Sequence, residues 1–143
     1  MAGIERFEDV KAWQEARTLV TKIYGLTDEA SPFKRDYGLR DQIRKASVSI
    51  MSNIAEGFGK RTDKDFSRFL YIALGSVSEV QSQLYVALDM KYISEREFAQ
   101  CYDKASDTAR LLLGFIKYLS GSTTGDKRAS PVEQSKVSSL RTT

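Results

Sequence analysis

Apolar residues recur along this chain in steps of three and four, the spacing of helices that bury one stripe. The first stripe comprises Val10, Trp13, Ala16, Val20, Ile23 or Tyr24, and Thr27, and predicts a helix from about Asp9 to Thr27. Ser31-Pro32 then stops the pattern, because proline lacks the N–H that a helix interior requires. A second stripe follows at Leu39, Ile43, Ala46, Ile50, Asn53 and Gly57. The third runs through Phe66, Leu70, Ala73, Val77, Val80, Leu84 and Ala87, and the fourth through Phe98, Tyr102, Ala105, Ala109, Leu112, Ile116 and Leu119.

The ends of these stripes carry their own signals. Ser94 and Glu97 have the spacing of a capping box, with Ile93 and Phe98 placed as a hydrophobic staple. Thr62 and Asp65 repeat the box more weakly, and Ser120-Gly121 can end the last helix. The second and third helices, and the third and fourth, are joined by links too short for anything but antiparallel neighbours. The expected fold is all-α, an antiparallel up-down-up-down four-helix bundle. Residues 1–8 are expected to form an N-terminal arm, 9–120 the bundle, and 121–143 a disordered tail rich in Ser, Thr, Gly and Lys.

Composition narrows the chemistry. At 143 residues the chain suits one domain with a real core. It contains no histidine, which removes the Ser-His triad, imidazole acid/base catalysis and most zinc or di-iron bundle sites. Cys101 is the single cysteine, so no intramolecular disulfide can form, as suits a reducing compartment. Met1 to Asp9 is charged rather than apolar, unlike a signal peptide, and no apolar run approaches the ~20 residues of a membrane span. A cytoplasmic protein without a membrane partner is expected.

The stretch from Ser52 to Phe66, SNIAEGFGKRTDKDF, invites comparison with a phosphate-gripping loop. A Walker loop needs G-x-x-x-x-G-K-[ST] after a strand. Here Gly57 is too close to Gly59, no strand precedes it, and Arg61 occupies the place of the hydroxyl. The better reading is structural. Gly57 and Gly59 let the second helix close tightly and turn, Phe58 plugs the bundle end, and Asn53 and Glu56 bond neighbouring groups.

Net charge is only +3, but cations gather between Tyr37 and Arg61, where five of them face Asp41 and Glu56 alone. Arg40 and Arg44 share a helix face, with Lys45 next to it, while Lys60, Arg61, Lys64 and Arg68 cluster at the next turn. These seven are candidate phosphate contacts for RNA or DNA. The ordinary alternative is solvated charge answered by Asp41, Asp63 and Asp65. Tyr71, Tyr85, Tyr92 and Tyr118 could stack on bases, although such residues more often pack helices.

The run Phe69-Leu70-Tyr71-Ile72-Ala73-Leu74 covers the whole circumference of a helix, more than a bundle interior can absorb. Phe69, Tyr71, Ile72 and Leu74 are therefore candidate self-association residues. The small Ser47, Ser49 and Ser52 would permit close approach. An enzyme reading competes: all-α nucleotide hydrolases gather carboxylates around Mg²⁺, and Asp103, Asp107 and Glu79 are the nearest counterpart. The chain lacks a dense acidic motif such as E-x-x-E-E, so no catalytic or metal-binding residue is assigned.

The segment YGLRDQIRKASVSIMSNIAEGFGKRTDKDFSRFLYIALGSVSEVQSQL, Tyr37 to Leu84, resembles the signature of four-helix bundle proteins encoded in intervening sequences of bacterial 23S rRNA genes. The resemblance extends from about Phe7 to Leu119, with Met51 standing where that signature has a proline. It implies a cytoplasmic homo-oligomer, a pentamer, with no established enzyme activity and no cofactor. The chain is also similar to accessory proteins of diversity-generating retroelements, which implies nucleic acid and a reverse transcriptase as partners. The expected function is non-enzymatic, weak nucleic-acid binding through a basic surface. A protein-docking scaffold is the alternative, and a Mg-dependent nucleotide hydrolase ranks behind both.

Overall fold

A computed structural model describes residues 4–121. Four helices account for most of them: α1 Lys11–Leu26, α2 Tyr37–Phe58, α3 Asp63–Asp89 and α4 Glu95–Gly121. There is no strand among the described residues. Each helix packs on the next in sequence and α1 closes against α4, so the helices form a ring in chain order. With short turns between α2 and α3 and between α3 and α4, this is the all-α bundle that the spacing predicts. No helix of the described residues is long and apolar enough to cross a membrane.

Local chemistry sets the helix ends. Ser94 and Glu97 form the reciprocal box: Glu97 N–H donates to Ser94 Oγ at 3.0 Å, and Ser94 N–H donates to Glu97 Oε1 at 2.8 Å. Thr62 supplies half a box, its Oγ1 accepting from Asp65 N–H at 3.1 Å. Asp36 caps α2 by accepting from Leu39 N–H at 3.1 Å. Its other oxygen accepts from the Tyr92 hydroxyl at 3.0 Å, so one carboxylate joins the α1–α2 link to the α3–α4 turn. That hydrogen bond is the main reason the Tyr92 pKa lies above the ordinary tyrosine value. Phe33, fully buried in the same link, packs its ring 5.3 Å from Tyr92.

The third stripe is buried as expected, all seven of its residues lying in the core. Elsewhere the interior takes neighbours of the expected residues. Leu19 is buried where Val20 was expected, Ile54 replaces Asn53, and Cys101 and Thr108 replace Tyr102 and Ala109. Each is a one-position shift, which wide apolar stripes allow because residues on both sides of the seam can reach the core. The segment expected as an arm also packs inward: Ile4 is buried, and the Phe7 ring meets Trp13 edge-on at 5.2 Å. Gly121 is the last residue of α4, and residues 122–143 of the expected tail lie outside the described residues.

Candidate nucleic-acid interface

The rise of an α-helix separates the seven candidate cations into two groups. Arg44 and Lys60 are sixteen residues apart, about 24 Å along the axis of α2. Arg40, Arg44 and Lys45 therefore lie near the start of α2, and Lys60, Arg61, Lys64 and Arg68 at its far end.

At the near end Arg44 departs from expectation. Its Nε donates to Thr27 Oγ1 at 2.8 Å and its Nη2 to the Thr27 carbonyl at 3.1 Å, while the guanidinium lies 4.2 Å from the centre of the Tyr24 ring. Thr27 is fully buried and follows the last residue of α1. The cation thus satisfies backbone left open where α1 stops, as the partial negative charge of a helix C-terminus favours. Arg44 is chiefly an α1–α2 tie. Arg40 stacks over Tyr37 at 5.1 Å, and its Nε lies 3.6 Å from Asp41. Lys45 is exposed.

The far end is the coherent cluster. Lys60, Arg61, Lys64 and Arg68 are all exposed around the α2–α3 turn. Lys60 Nζ lies 5.0 Å above the Phe69 ring and the Arg68 guanidinium 4.9 Å from it, so one aromatic ring orders two cations. Arg68 also approaches Asp65 at 4.0 Å. Beside the cluster, a groove of about 620 Å³ runs between α3 and the end of α4, lined by Lys64, Ser67, Tyr71, Ile116 and Leu119.

The turn itself rests on Gly57, which is buried where α2 crosses closest to Phe66 and Phe69. Gly59 differs: its backbone is right-handed and a β-carbon there would make only ordinary contact with the Glu56 carbonyl oxygen at 3.6 Å. Phe58 stacks edge-on with Phe66 at 6.0 Å, and Phe66 with Phe115 at 5.1 Å, closing the bundle end. Asn53 Nδ2 donates to the Ser49 carbonyl at 2.9 Å and to Ser49 Oγ at 3.0 Å, and Ser49 in turn bonds Ser76 of α3 at 3.0 Å. Glu56 does not share this role. Its side chain is exposed and makes no hydrogen bond or ion pair among the described residues, because its position faces outward, away from the α2 seam.

The apolar run on α3 divides by depth. Leu70 and Ala73 are buried, Phe69 and Leu74 are half-buried against the core and its flanks, and Tyr71 and Ile72 remain 58% and 45% exposed. Only Tyr71 and Ile72 of the four candidate interface residues are thus free apolar surface. Of the acidic candidates, Asp103 and Glu79 are exposed and Asp107 pairs with Arg110, and no group of three or more His, Cys, Asp or Glu among the described residues is placed to hold a metal ion.

Among solved structures, the chain is similar to a protein of unknown function from the S23 ribosomal protein family of Bacteroides thetaiotaomicron VPI-5482. Identity is 22%, the TM-score 0.69, and the match covers 74% of this chain and 98% of that one. No curated protein matches. The model of the family described as 23S rRNA-intervening sequence protein matches residues 8–114, from the 3-10 turn before α1 to about two turns short of the end of α4. The chain therefore belongs to the 23S rRNA-intervening sequence protein family.

Proposed function

We propose that this protein is a non-enzymatic homo-oligomer that holds RNA or DNA weakly, through phosphates and without reading base sequence. The observation that carries this reading is the α2–α3 turn. Of the four exposed cations there, only Arg68 has an ion-pair partner among the described residues, and that contact is 4.0 Å long. Lys60, Arg61 and Lys64 can therefore exchange counterions for phosphates at small cost. Exposed Tyr71 and Ile72 support self-association, which would repeat a modest patch around the assembly and raise its avidity. The same two side chains favour a protein-docking module as the second reading.

Fluorescence anisotropy with a labelled single-stranded RNA tests the proposal. Affinity should fall steeply between about 50 and 200 mM salt. The double variant Lys60→Glu/Arg61→Glu should weaken all sequences alike and flatten the salt slope by about 1.4, at ~0.7 per phosphate contact. Failure of the wild type to bind at low salt would remove the nucleic-acid reading. A concentration-independent monomer in light scattering would remove the oligomer.

A further inference from the structure

Arginine and aromatic side chains meet three times along the edge where α1 packs on α2. Arg17 lies over the Trp13 ring at 5.7 Å, Arg44 over Tyr24 at 4.2 Å, and Arg40 over Tyr37 at 5.1 Å. Trp13, Arg17 and Tyr24 are four and seven residues apart, so they share one stripe of α1. Tyr37, Arg40 and Arg44 are three and four apart and share one stripe of α2. The Arg44 contact with Tyr24 joins the two stripes into a single strip. Trp13 is itself buried and only supports Arg17, so at ~1.5 Å per residue the accessible strip runs about 10 Å from Arg17 to Tyr24 and about 10 Å from Arg44 to Tyr37, roughly 21 Å in all.

Charge and exposure say what this strip would accept. Tyr37 is 62% and Tyr24 39% exposed, each with a guanidinium set against it. Among the described residues the three arginines have one ion-pair partner, Asp41, which sits 3.6 Å from Arg40 Nε, while Glu8 lines the same pocket as Arg17 but pairs with Arg6. Arg17 and Arg44 have no acidic partner among the described residues. Arg44 is also held in place by Thr27, so it is ordered before any ligand arrives. Flat rings beside fixed positive charge suit bases whose faces are open, together with the phosphates that link them. A duplex hides its base faces in its own stack and could use only the charges.

We infer that the α1–α2 edge is a stacking surface for an unpaired nucleic-acid strand, with Tyr37 and Tyr24 as base platforms and Arg17 and Arg40 as phosphate contacts. This rests on the proposal that the protein binds nucleic acid. It adds base faces to that reading, and a second edge distinct from the α2–α3 turn. The strip's length matches the lower end of the ~4–16 nucleotides that single-strand sites usually cover.

The test compares a labelled oligothymidine of about twelve nucleotides with a hairpin duplex of equal length, using the full chain. Tyr37→Ala, which removes a ring and no charge, should weaken single-strand binding about five- to fiftyfold and leave duplex binding nearly unchanged. Tyr37→Phe, which keeps the ring, should retain single-strand affinity, and thermal melting verifies that each variant is folded. Lys60→Glu/Arg61→Glu should weaken both probes. Equal loss on both probes, or no loss, in the strip variant overturns the stacking surface, while the turn variant's own loss would leave the phosphate reading standing. Wild-type protein that binds neither probe overturns both.

Discussion

A β-carbon on Gly57 would stand 2.7 Å from Phe69 Cβ, closer than carbon atoms can pack. It would also meet Phe66 Cδ1 at 2.9 Å and the Phe66 carbonyl oxygen at 3.3 Å. The absence of a side chain is therefore what lets the last turn of α2 touch the first turns of α3. Gly57→Ala should destabilise the fold by about 1–3 kcal/mol through overpacking, even though alanine improves helix propensity by up to ~1 kcal/mol. Gly25, on α1, has nothing within 4 Å of its would-be β-carbon, and Gly25→Ala should stabilise by up to about 1 kcal/mol. Urea denaturation of the two variants should give opposite signs.

Lys91 has a φ of 64°, in the left-handed region that costs a side chain energy. The reason lies in the end of α3. Tyr92 N–H donates to the Ala87 carbonyl at 2.9 Å and Lys91 N–H to the Leu88 carbonyl at 3.0 Å, the paired bonds of a Schellman motif. Its left-handed position is normally glycine, so Lys91→Gly should raise stability by about 0.5–1 kcal/mol. A lowered or unchanged melting temperature would mean that the lysine side chain contributes more than the backbone loses.

Arg44 is the cation whose removal should hurt folding most. Its two hydrogen bonds to Thr27 are charge-assisted, and losing them should cost about 1.5–3 kcal/mol. Arg44→Lys should not restore the loss, because an ammonium lacks the planar fork that spans a hydroxyl and a carbonyl while lying over the Tyr24 ring. Charge reversal of Arg44 would confuse unfolding with lost binding, and equal melting of wild type and Arg44→Ala would refute the tie.

Cys101 should be chemically silent in the native protein. Its thiol is buried, and burial pushes its pKa up to about 11 from an ordinary 9.0. Because the folded value is the higher one, the neutral thiol favours folding below about pH 9, and that contribution is lost as pH rises towards about 11. An aromatic disulfide reagent at pH 8 should label Cys101 only at the rate of opening, and rapid labelling of folded protein would contradict the burial.

How much of this could be read from the residues varies with the physics involved. The buried α3 stripe and the Ser94–Glu97 box were legible because spacing alone decides them. The role of Arg44 was not, because its partner Thr27 is seventeen positions away and only the packing of α1 on α2 brings them together. Phe33 was hidden inside a segment marked chiefly by its helix-stopping proline. The left-handed Lys91 carries no glycine signal at all. For Glu56, depth decides: Asn53 is half-buried and bonds Ser49 one turn back, whereas Glu56 is exposed, a difference that spacing alone does not give for two residues three apart.

The bond between Asp36 and Tyr92 spans 56 positions and pins the α1–α2 link to the α3–α4 turn at one end of the bundle. Amides near that end, in the last turn of α1, the first of α2 and the last of α3, should exchange with solvent through one shared opening. At the opposite end the exposed residues from Gly59 to Thr62 have no comparable cross-link among the described residues, and their amides should exchange through small local openings. One pole of the bundle should therefore open as a unit and the other residue by residue. On the proposed reading, a strand gripped at the α2–α3 turn would meet backbone that adjusts to it, whereas one lying along Tyr24 would meet a guanidinium already held by Thr27.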